Sequence, residues 1–137
     1  MIDRLLVSKP DAVIFLGDIT EDTLDIRSVF PELPLYRVAG NCDYERDDVK
    51  ECKLGGKRFL LCHGHQYGVK TGLERLWTEG LRRQVDVVLF GHTHRQYAET
   101  RNGILYLNPG SASGFGGFCF AELFIDEKGV SYELFRE

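Results

Sequence analysis

Residues 85–94 read VDVVLFGHTH, an apolar run that stops at a glycine and two histidines. Positions 87–90 are apolar without interruption, which predicts a strand buried on both faces of a sheet. Side chains repeat with period two along a strand, so His92 and His94 can point the same way beyond its end. Because neutral imidazole is a common metal ligand, the stretch indicates a metal site, with a surface turn carrying two histidines as the alternative.

The length and composition suit one globular domain, residues 1–137, with enough chain for a core. The net charge of −4 argues against nucleic acid or an anionic membrane surface as the main partner. No stretch resembles a signal peptide or reaches membrane-spanning length. The four cysteines, Cys42, Cys52, Cys62 and Cys119, form no C-x-x-C pair, so a zinc knuckle or thioredoxin motif is not expected. Without a signal peptide or membrane span, we expect reduced thiols and a cytoplasmic protein. Cys62 and Cys119 lie in apolar stretches and should pack in the core.

Apolar patterning and turn residues divide the chain into short elements. Strands are predicted at residues 12–16, 35–38, 49–54, 57–62, 87–90, 97–100, 104–107, 118–125 and 130–135, and helices at 1–8, 21–30 and 72–83. Thr71 and Glu74 have the spacing of a capping box at the start of the last helix. Strands and helices alternate early and hairpins dominate late, which predicts an α/β protein with a mixed sheet, or two packed sheets, and helices outside.

Several predicted strands end in a polar motif that contains a potential metal ligand. These ligands are Asp18, Asn41, His63, His92 and His94. The carboxyl ends of strands joined by crossover helices gather at one edge of a sheet, where ligands bind. A carboxylate together with imidazoles suits manganese, iron or zinc better than calcium. Each motif alone is more often a simple turn or helix cap, but their repetition at strand ends favours one shared site.

The ordered set of motifs resembles the calcineurin-like metallophosphoesterases, and in particular their small bacterial and archaeal phosphodiesterases. The motifs are Gly17-Asp18, Gly40-Asn41-Cys42-Asp43, His63-Gly64-His65, Gly91-His92-Thr93-His94 and Asn108-Pro109-Gly110-Ser111. The resemblance covers essentially the whole chain. It implies a four-layer α/β/β/α sandwich of two mixed sheets with helices outside, and a site for two divalent metal ions.

The resemblance also implies the metal ligands. Asp18 matches the residue that bridges the two metals; Asn41, His63 and His92 complete one site, and His94 belongs to the other. Manganese is the favoured metal, with zinc, iron or nickel as alternatives. The implied reaction is hydrolysis of a phosphodiester, or of a phosphomonoester, by a metal-activated hydroxide that attacks phosphorus in one step.

Catalytic and substrate-binding roles follow from the same resemblance. The catalytic group comprises Asp18, Asn41, Cys42, Asp43, His63 and His92. Cys42 stands where many relatives have a histidine that assists the leaving group, and Asp43 would orient its neighbours. His65 and Arg95 would meet a non-bridging phosphate oxygen, with a supporting or solvent-facing role as the alternative for each. The expected substrate is a small phosphodiester whose alcohol the motifs do not specify.

One motif of the family is missing, because the sequence contains no Asp-x-His. The family carries that pair at the end of its first strand, so we expect an N-terminally truncated fold. One metal site then keeps only Asp18 and His94, and activity should be impaired. The alternative function is a catalytically inactive scaffold for protein interaction, like the retromer subunit that resembles these enzymes. The strand at residues 12–16 would also lose a neighbour, which favours a homo-oligomer.

Overall fold

The computed structural model describes residues 11–16, 31–32, 34–37, 49–93, 95–110 and 119–136. Its strands are β1 (Val13–Phe15), β2 (Leu35–Arg37), β3 (Val49–Leu54), β4 (Lys57–Cys62), β5 (Val87–Leu89), β6 (Tyr97–Arg101), β7 (Ile104–Asn108), β8 (Cys119–Asp126) and β9 (Gly129–Arg136). A 3₁₀ turn, His65–Tyr67, precedes the helix α1 (Glu74–Arg83). The helices predicted at 1–8 and 21–30 lie outside the described residues. No helix within the described ranges is long and apolar enough to cross a membrane.

A five-stranded mixed sheet in the order β3-β4-β5-β7-β6 lies at the centre of the described fold. Strands β4, β5 and β7 run parallel, whereas β3 and β6 pair antiparallel with β4 and β7 at the two edges. The edge hairpins turn at Gly55-Gly56 and at Asn102-Gly103, and all of these residues have positive φ angles. Two successive positive φ angles give a tight turn whose twist matches that of the strands. The strands predicted on either side of each turn are therefore paired as hairpins.

Side chains of the three central strands alternate between two apolar clusters, one on each face of the sheet. The cluster under helix α1 includes Leu60, Cys62, Val88, Phe90, Ile104 and Tyr106. The cluster on the opposite face includes Phe59, Leu61, Val87, Leu89, Leu105 and Leu107. Burial of each such aliphatic or aromatic side chain stabilises the fold by about 1.5–3 kcal/mol. Val87, Val88, Leu89 and Phe90 are each at most 3% exposed, which confirms the prediction of a strand buried on both faces.

Helix α1 packs closely against the sheet at Gly80. A Cβ atom at this position would lie 2.6 Å from the Tyr106 hydroxyl oxygen, so a larger residue would have to displace the tyrosine. The same hydroxyl donates a hydrogen bond to the Trp77 carbonyl oxygen at 3.1 Å. Leu76, one turn before Gly80, is fully buried on the same side. The close approach at Gly80 thus sets the distance between helix and sheet.

The start of helix α1 differs from the predicted capping box. The N-cap residue is Leu73, and no side chain hydrogen-bonds to the first turn from that position. Thr71 instead donates its hydroxyl hydrogen to the Gly68 carbonyl oxygen at 2.9 Å, within the turn that precedes the helix. The capping prediction is wrong because the threonine stabilises this earlier turn, and the helix begins at Glu74.

A second layer covers the sheet face opposite helix α1. It consists of the parallel pair β1–β2 and the antiparallel hairpin β8–β9. Ile14 and Tyr36 from the first pair, and Leu123 and Val130 from the second, pack on the apolar cluster of that face. Helix, mixed sheet and second β layer form the α/β sandwich that the sequence predicted. In the described part of the chain, its second layer is divided into two separate strand pairs.

Two arginines of helix α1 bind the Glu79 carboxylate. Arg82 hydrogen-bonds to it, as does Arg83 with 2.6 Å between Nε and Oε1, and together they lower the pKa of Glu79 to about 2. A carboxylate with a lowered pKa stabilises the folded state above the pKa of the unfolded chain. That contribution is lost as the pH falls towards the folded value.

We predict that Glu79→Gln lowers the free energy of unfolding by about 1 kcal/mol at pH 7, because partly exposed ion pairs on a helix contribute modestly. The difference from the wild type should shrink as the pH falls from 4.5 to about 2, since protonation then removes the same charge from Glu79. Urea unfolding followed by circular dichroism measures both effects. Glu127→Gln makes the same change in an exposed turn and serves as the control. If the difference in free energy of unfolding between wild type and Glu79→Gln did not change with pH, the lowered pKa of Glu79 would be contradicted.

Candidate metal centre

Adjacent strands end at the same edge of the five-stranded sheet and place motif residues there. His63 follows β4, Gly91 and His92 follow β5, and Asn108 ends β7. The Gly91 amide donates to the His63 carbonyl oxygen at 2.8 Å, which continues the parallel pairing beyond the strand ends. The described motifs therefore gather at one edge of the sheet, as expected for parallel strands.

The His63 side chain is held by an atom of the second layer. The residue is 1% exposed, and its Nδ1 lies 2.8 Å from the Leu16 carbonyl oxygen, just beyond β1. A carbonyl oxygen can only accept a hydrogen bond, so Nδ1 carries the hydrogen. In the neutral ring Nε2 then keeps its lone pair, which is the arrangement of a metal-binding histidine.

His92 places a second imidazole against His63. Its Nδ1 lies 3.0 Å from His63 Nε2, and the two ring centroids are 4.8 Å apart. Because His63 Nε2 accepts in the neutral pair, His92 Nδ1 is the donor. The His92 backbone has a φ of 69°. This left-handed conformation costs energy for a residue other than glycine, and such strain concentrates at functional sites.

The two facing nitrogens fit two ligand positions of one divalent cation. Neutral imidazole nitrogens are common ligands of divalent cations such as zinc and manganese. The two nitrogens are 3.0 Å apart, so His63 and His92 are close enough to hold one ion together. Two imidazoles alone are too few for a complete site. Within the described ranges, no group of three or more His, Cys, Asp or Glu side chains is assembled for a metal.

The remaining predicted ligands and catalytic residues cannot be compared with this geometry. They are Asp18, Asn41, Cys42, Asp43 and His94, and all of them lie outside the described residues. The structure therefore brings together His63 and His92 of the predicted ligand set. The assignment of the other five residues stays a prediction.

His65 and Arg95, predicted to bind substrate, have different surroundings. The His65 ring centroid lies 5.4 Å from that of His63 and 6.1 Å from that of His92. Its Nδ1 is buried and has no hydrogen-bond partner among the described residues, so a ligand could satisfy it. Arg95 is exposed, and its backbone amide donates to Thr93 Oγ1 at 3.2 Å. His65 is thus in contact range of the histidine pair.

Asn108 has a role that the motif spacing did not predict. It is fully buried, and its Nδ2 donates to the Gly91 carbonyl oxygen at 3.1 Å and to Thr93 Oγ1 at 2.9 Å. Its Oδ1 accepts from the Gly110 amide at 2.9 Å. One side chain therefore joins the loop that carries His92 to the loop after β7. The sequence signal was an asparagine that ends an apolar strand immediately before Pro-Gly.

We predict that Asn108→Ala lowers the free energy of unfolding by about 2–3 kcal/mol, because it leaves buried backbone groups without partners. The affinity for a divalent metal should also fall by roughly 10–100-fold, since the loop behind His92 loses its support. Thermal unfolding and calorimetric metal titration measure the two effects. Asn102→Gly, in the exposed turn between β6 and β7, removes an amide while allowing the positive φ and should change neither. If Asn108→Ala bound metal as tightly as the wild type, the asparagine would contribute to the stability of the fold but not to metal binding.

Cys62 directly precedes His63 but points away from the histidine pair. It lies in the cluster under helix α1, and burial raises the pKa of its thiol to about 12. A metal ligand must be a thiolate, so Cys62 stays protonated and packs as an apolar residue. Cys119 is 5% exposed, and the predicted packing role of both cysteines is confirmed.

The chain belongs to the calcineurin-like phosphoesterase superfamily. The family model of this domain matches residues 2–123, which are most of the chain. The match confirms the family inferred from the ordered motifs. It includes the strand ends that carry His63 and His92.

Similar proteins come from bacteria, and a similar fold occurs in a eukaryote. The probable metallophosphoesterase YsnB of Bacillus subtilis is 35% identical over 104 residues, which are 74% of this chain and 59% of YsnB. Phosphodiesterase YfcE of Escherichia coli is 37% identical over 86 residues, which are 56% of this chain and 43% of YfcE. The matched part of the chain thus spans about half the length of these relatives. Wild-type Vps29 of Entamoeba histolytica, solved with Zn²⁺, has a TM-score of 0.76 and 25% identity over 98% of this chain and 87% of Vps29.

Proposed function

We propose that this protein is a metal-dependent phosphoesterase that hydrolyses small phosphodiesters, with phosphomonoesters as a second substrate class. The observation that supports it most is the pair of imidazole nitrogens 3.0 Å apart, with His63 held in the metal-binding tautomer by Leu16. A bound divalent metal ion, manganese by preference, would act as a Lewis acid and activate water for attack on phosphorus. Membership of the phosphoesterase superfamily supports the same chemistry.

The proposed ligands divide between two metal positions. His63 and His92 would hold one ion together with Asp18 and Asn41. His63 would bind through Nε2, because its Nδ1 is already hydrogen-bonded to a backbone carbonyl oxygen. Asp18 and His94 would hold the second ion, and the missing Asp-x-His motif leaves this position with fewer ligands.

The proposed substrate contacts lie beside the histidine pair. His65 would donate from its buried Nδ1 to a non-bridging phosphate oxygen, since that atom has no partner within the described part of the chain. Arg95 is exposed and would attract the substrate anion from solvent. Cys42 would assist the departing alcohol, and Asp43 would orient neighbouring groups.

We also propose that residues 1–137 act as one domain in the cytoplasm. Cys52, Cys62 and Cys119 are free thiols in the structure, as is usual for proteins of a reducing compartment. The buried Cys62 and Cys119 are packing residues, so they need no partner thiol.

The second candidate function is a scaffold for protein interaction that binds metal without turnover. The fold similarity to Vps29 solved with Zn²⁺ favours it. Metal binding is common to both candidates, so it does not distinguish them. Hydrolysis of a phosphoester does, because a scaffold needs no activated water.

We predict that dialysis against manganese leaves about one ion per chain, because one position has four matched ligands and the other has two. His92→Ala should weaken metal binding more than His94→Ala, since His92 belongs to the more complete position. Calorimetric titration with manganese compares the affinities, and circular dichroism verifies that each variant is folded. His65→Ala should retain the metal. Two tightly bound ions per chain, or equal losses in the two histidine variants, would show that the ligands are wrongly divided.

We predict slow, manganese-dependent hydrolysis of a chromogenic aryl phosphodiester by this chain. The rate should be about 10²–10³-fold below that of YfcE assayed in parallel, because part of the electrostatic stabilisation of the transition state is missing. Asp18→Ala should abolish the remaining turnover. Bound metal with no turnover above that of Asp18→Ala would favour the scaffold. A rate equal to that of YfcE would mean that the ligand-poor position suffices.

A further inference from the structure

Gln96 connects the loop between β5 and β6 to the second β layer. It directly precedes β6, whose first residue, Tyr97, pairs with Asn108 at the end of β7. Gln96 therefore lies at the same sheet edge as the histidine pair. Its Nε2 donates a hydrogen bond to the Phe135 carbonyl oxygen of β9 at 2.7 Å. This bond joins the edge that carries the candidate metal centre to the β8–β9 hairpin.

The Gln96 side chain also packs against Gly110, in the loop after β7. A Cβ atom at position 110 would lie 2.9 Å from Gln96 Cγ and 2.8 Å from Cys119 Cβ on β8. Gly110 has a φ of 89°, so glycine suits this position both in conformation and in the space it leaves. The missing side chain at Gly110 makes the room that Gln96 needs to reach the hairpin.

A side chain at this edge of the five-stranded sheet hydrogen-bonds to each strand pair of the second layer. The His63 ring bonds to the Leu16 carbonyl oxygen just beyond β1, and Gln96 bonds to Phe135 of β9. In the described part of the chain, β1–β2 and β8–β9 form separate sheets, so neither bond can substitute for the other. A hairpin of two strands is only marginally stable alone. The bond from Gln96 therefore serves the β8–β9 hairpin as the bond from His63 serves β1.

The loop between β5 and β6 is thus held at two points that differ in their partners. In its middle, Thr93 Oγ1 accepts a hydrogen bond from the buried Asn108 Nδ2 at 2.9 Å, within the five-stranded sheet. At its end, Gln96 bonds to Phe135 in the second layer. A segment fixed at both points has fewer conformations to lose, so its side chains bind a ligand at a smaller entropic cost.

We propose that Gln96 is a positioning residue of the metal centre. Its hydrogen bond to Phe135 holds the loop that carries His92 and His94 in the conformation that binds metal. Gln96 bonds to the backbone of β9 and acts on the metal only through this loop. The inference rests on the proposed function, because it takes the two histidines as metal ligands. Loss of a group that supports metal ligands typically weakens affinity by roughly 10–100-fold.

The first test compares manganese affinities by calorimetric titration. Gln96→Met keeps the length of the side chain but removes the donor, so it should weaken manganese binding by about tenfold. Gln84→Met makes the same change in an exposed side chain at the end of α1 and should leave the affinity unchanged. Val130→Ala removes packing from the other end of the same hairpin, where Val130 contacts the apolar cluster. It should lower the melting temperature with no comparable loss of affinity.

Two results of this titration would overturn the proposal. One is a Gln96→Met variant that binds manganese as tightly as the wild type. The other is an equal loss of affinity in Val130→Ala, because destabilisation of the hairpin alone would then explain the effect.

The second test uses the metal-free protein. The Thr93 amide donates to the Gly91 carbonyl oxygen, and the Arg95 amide donates to Thr93 Oγ1. Hydrogen exchange followed by NMR should show both amides exchanging at least several-fold faster in Gln96→Met, because the loop opens more often. Gln84→Met should exchange as the wild type does. Unchanged exchange in Gln96→Met would refute the claim that Gln96 holds the loop.

Hydrolysis of an aryl phosphodiester separates this inference from the proposed function. At saturating manganese Gln96→Met should reach the wild-type rate, because excess metal compensates for a weakened affinity. A rate that stayed low at saturating manganese would overturn the positioning role. If the wild type bound manganese more tightly than Gln96→Met but hydrolysed nothing, the phosphoesterase would be refuted and the role of Gln96 would stand. A wild-type chain that bound no manganese would refute both.

Discussion

The hydrogen bond between the His63 ring and the Leu16 carbonyl oxygen is the interaction on which the candidate centre depends. It connects the end of β4 in the five-stranded sheet to the end of β1 in the second layer. It also determines which ring nitrogen of His63 faces His92. The acceptor belongs to the backbone, so the position of β1 over the apolar cluster, rather than the identity of one side chain, sets the chemistry at the strand ends.

The fold was largely predictable because its strongest signals are local. The bounds of β3 and β4 agree with the prediction, since Gly55-Gly56 supplies the two positive φ angles of the turn between them. The uninterrupted apolar run of β5 predicts burial on both faces, which its central position between two parallel strands provides. The start of α1 was mispredicted because Thr71 can hydrogen-bond to either side, and its bond to Gly68 prevails. Sequence spacing does not distinguish these two partners.

The sequence predicted which histidines meet in the candidate site. It did not predict the groups that hold them in place. His63 and His92 meet because neighbouring parallel strands end together, which strand order and period two suffice to predict. The left-handed backbone at His92 and the hydrogen bond to the Leu16 carbonyl oxygen were not predictable. Neither feature requires a particular residue type at its position, so the sequence gives no sign of it. The role of Asn108 was missed for a different reason. An asparagine before Pro-Gly is ordinary turn composition, and only its burial reveals that it joins two loops.

The buried amide of Asn108 makes the two loops at this edge a single cooperative unit. Its hydrogen bonds reach Gly91 and Thr93 on one loop and Gly110 on the other. Neither loop can move away without breaking the bonds that hold its neighbour, so their opening is one event with one free energy. Amide hydrogens in both loops would then exchange with solvent at a common opening rate.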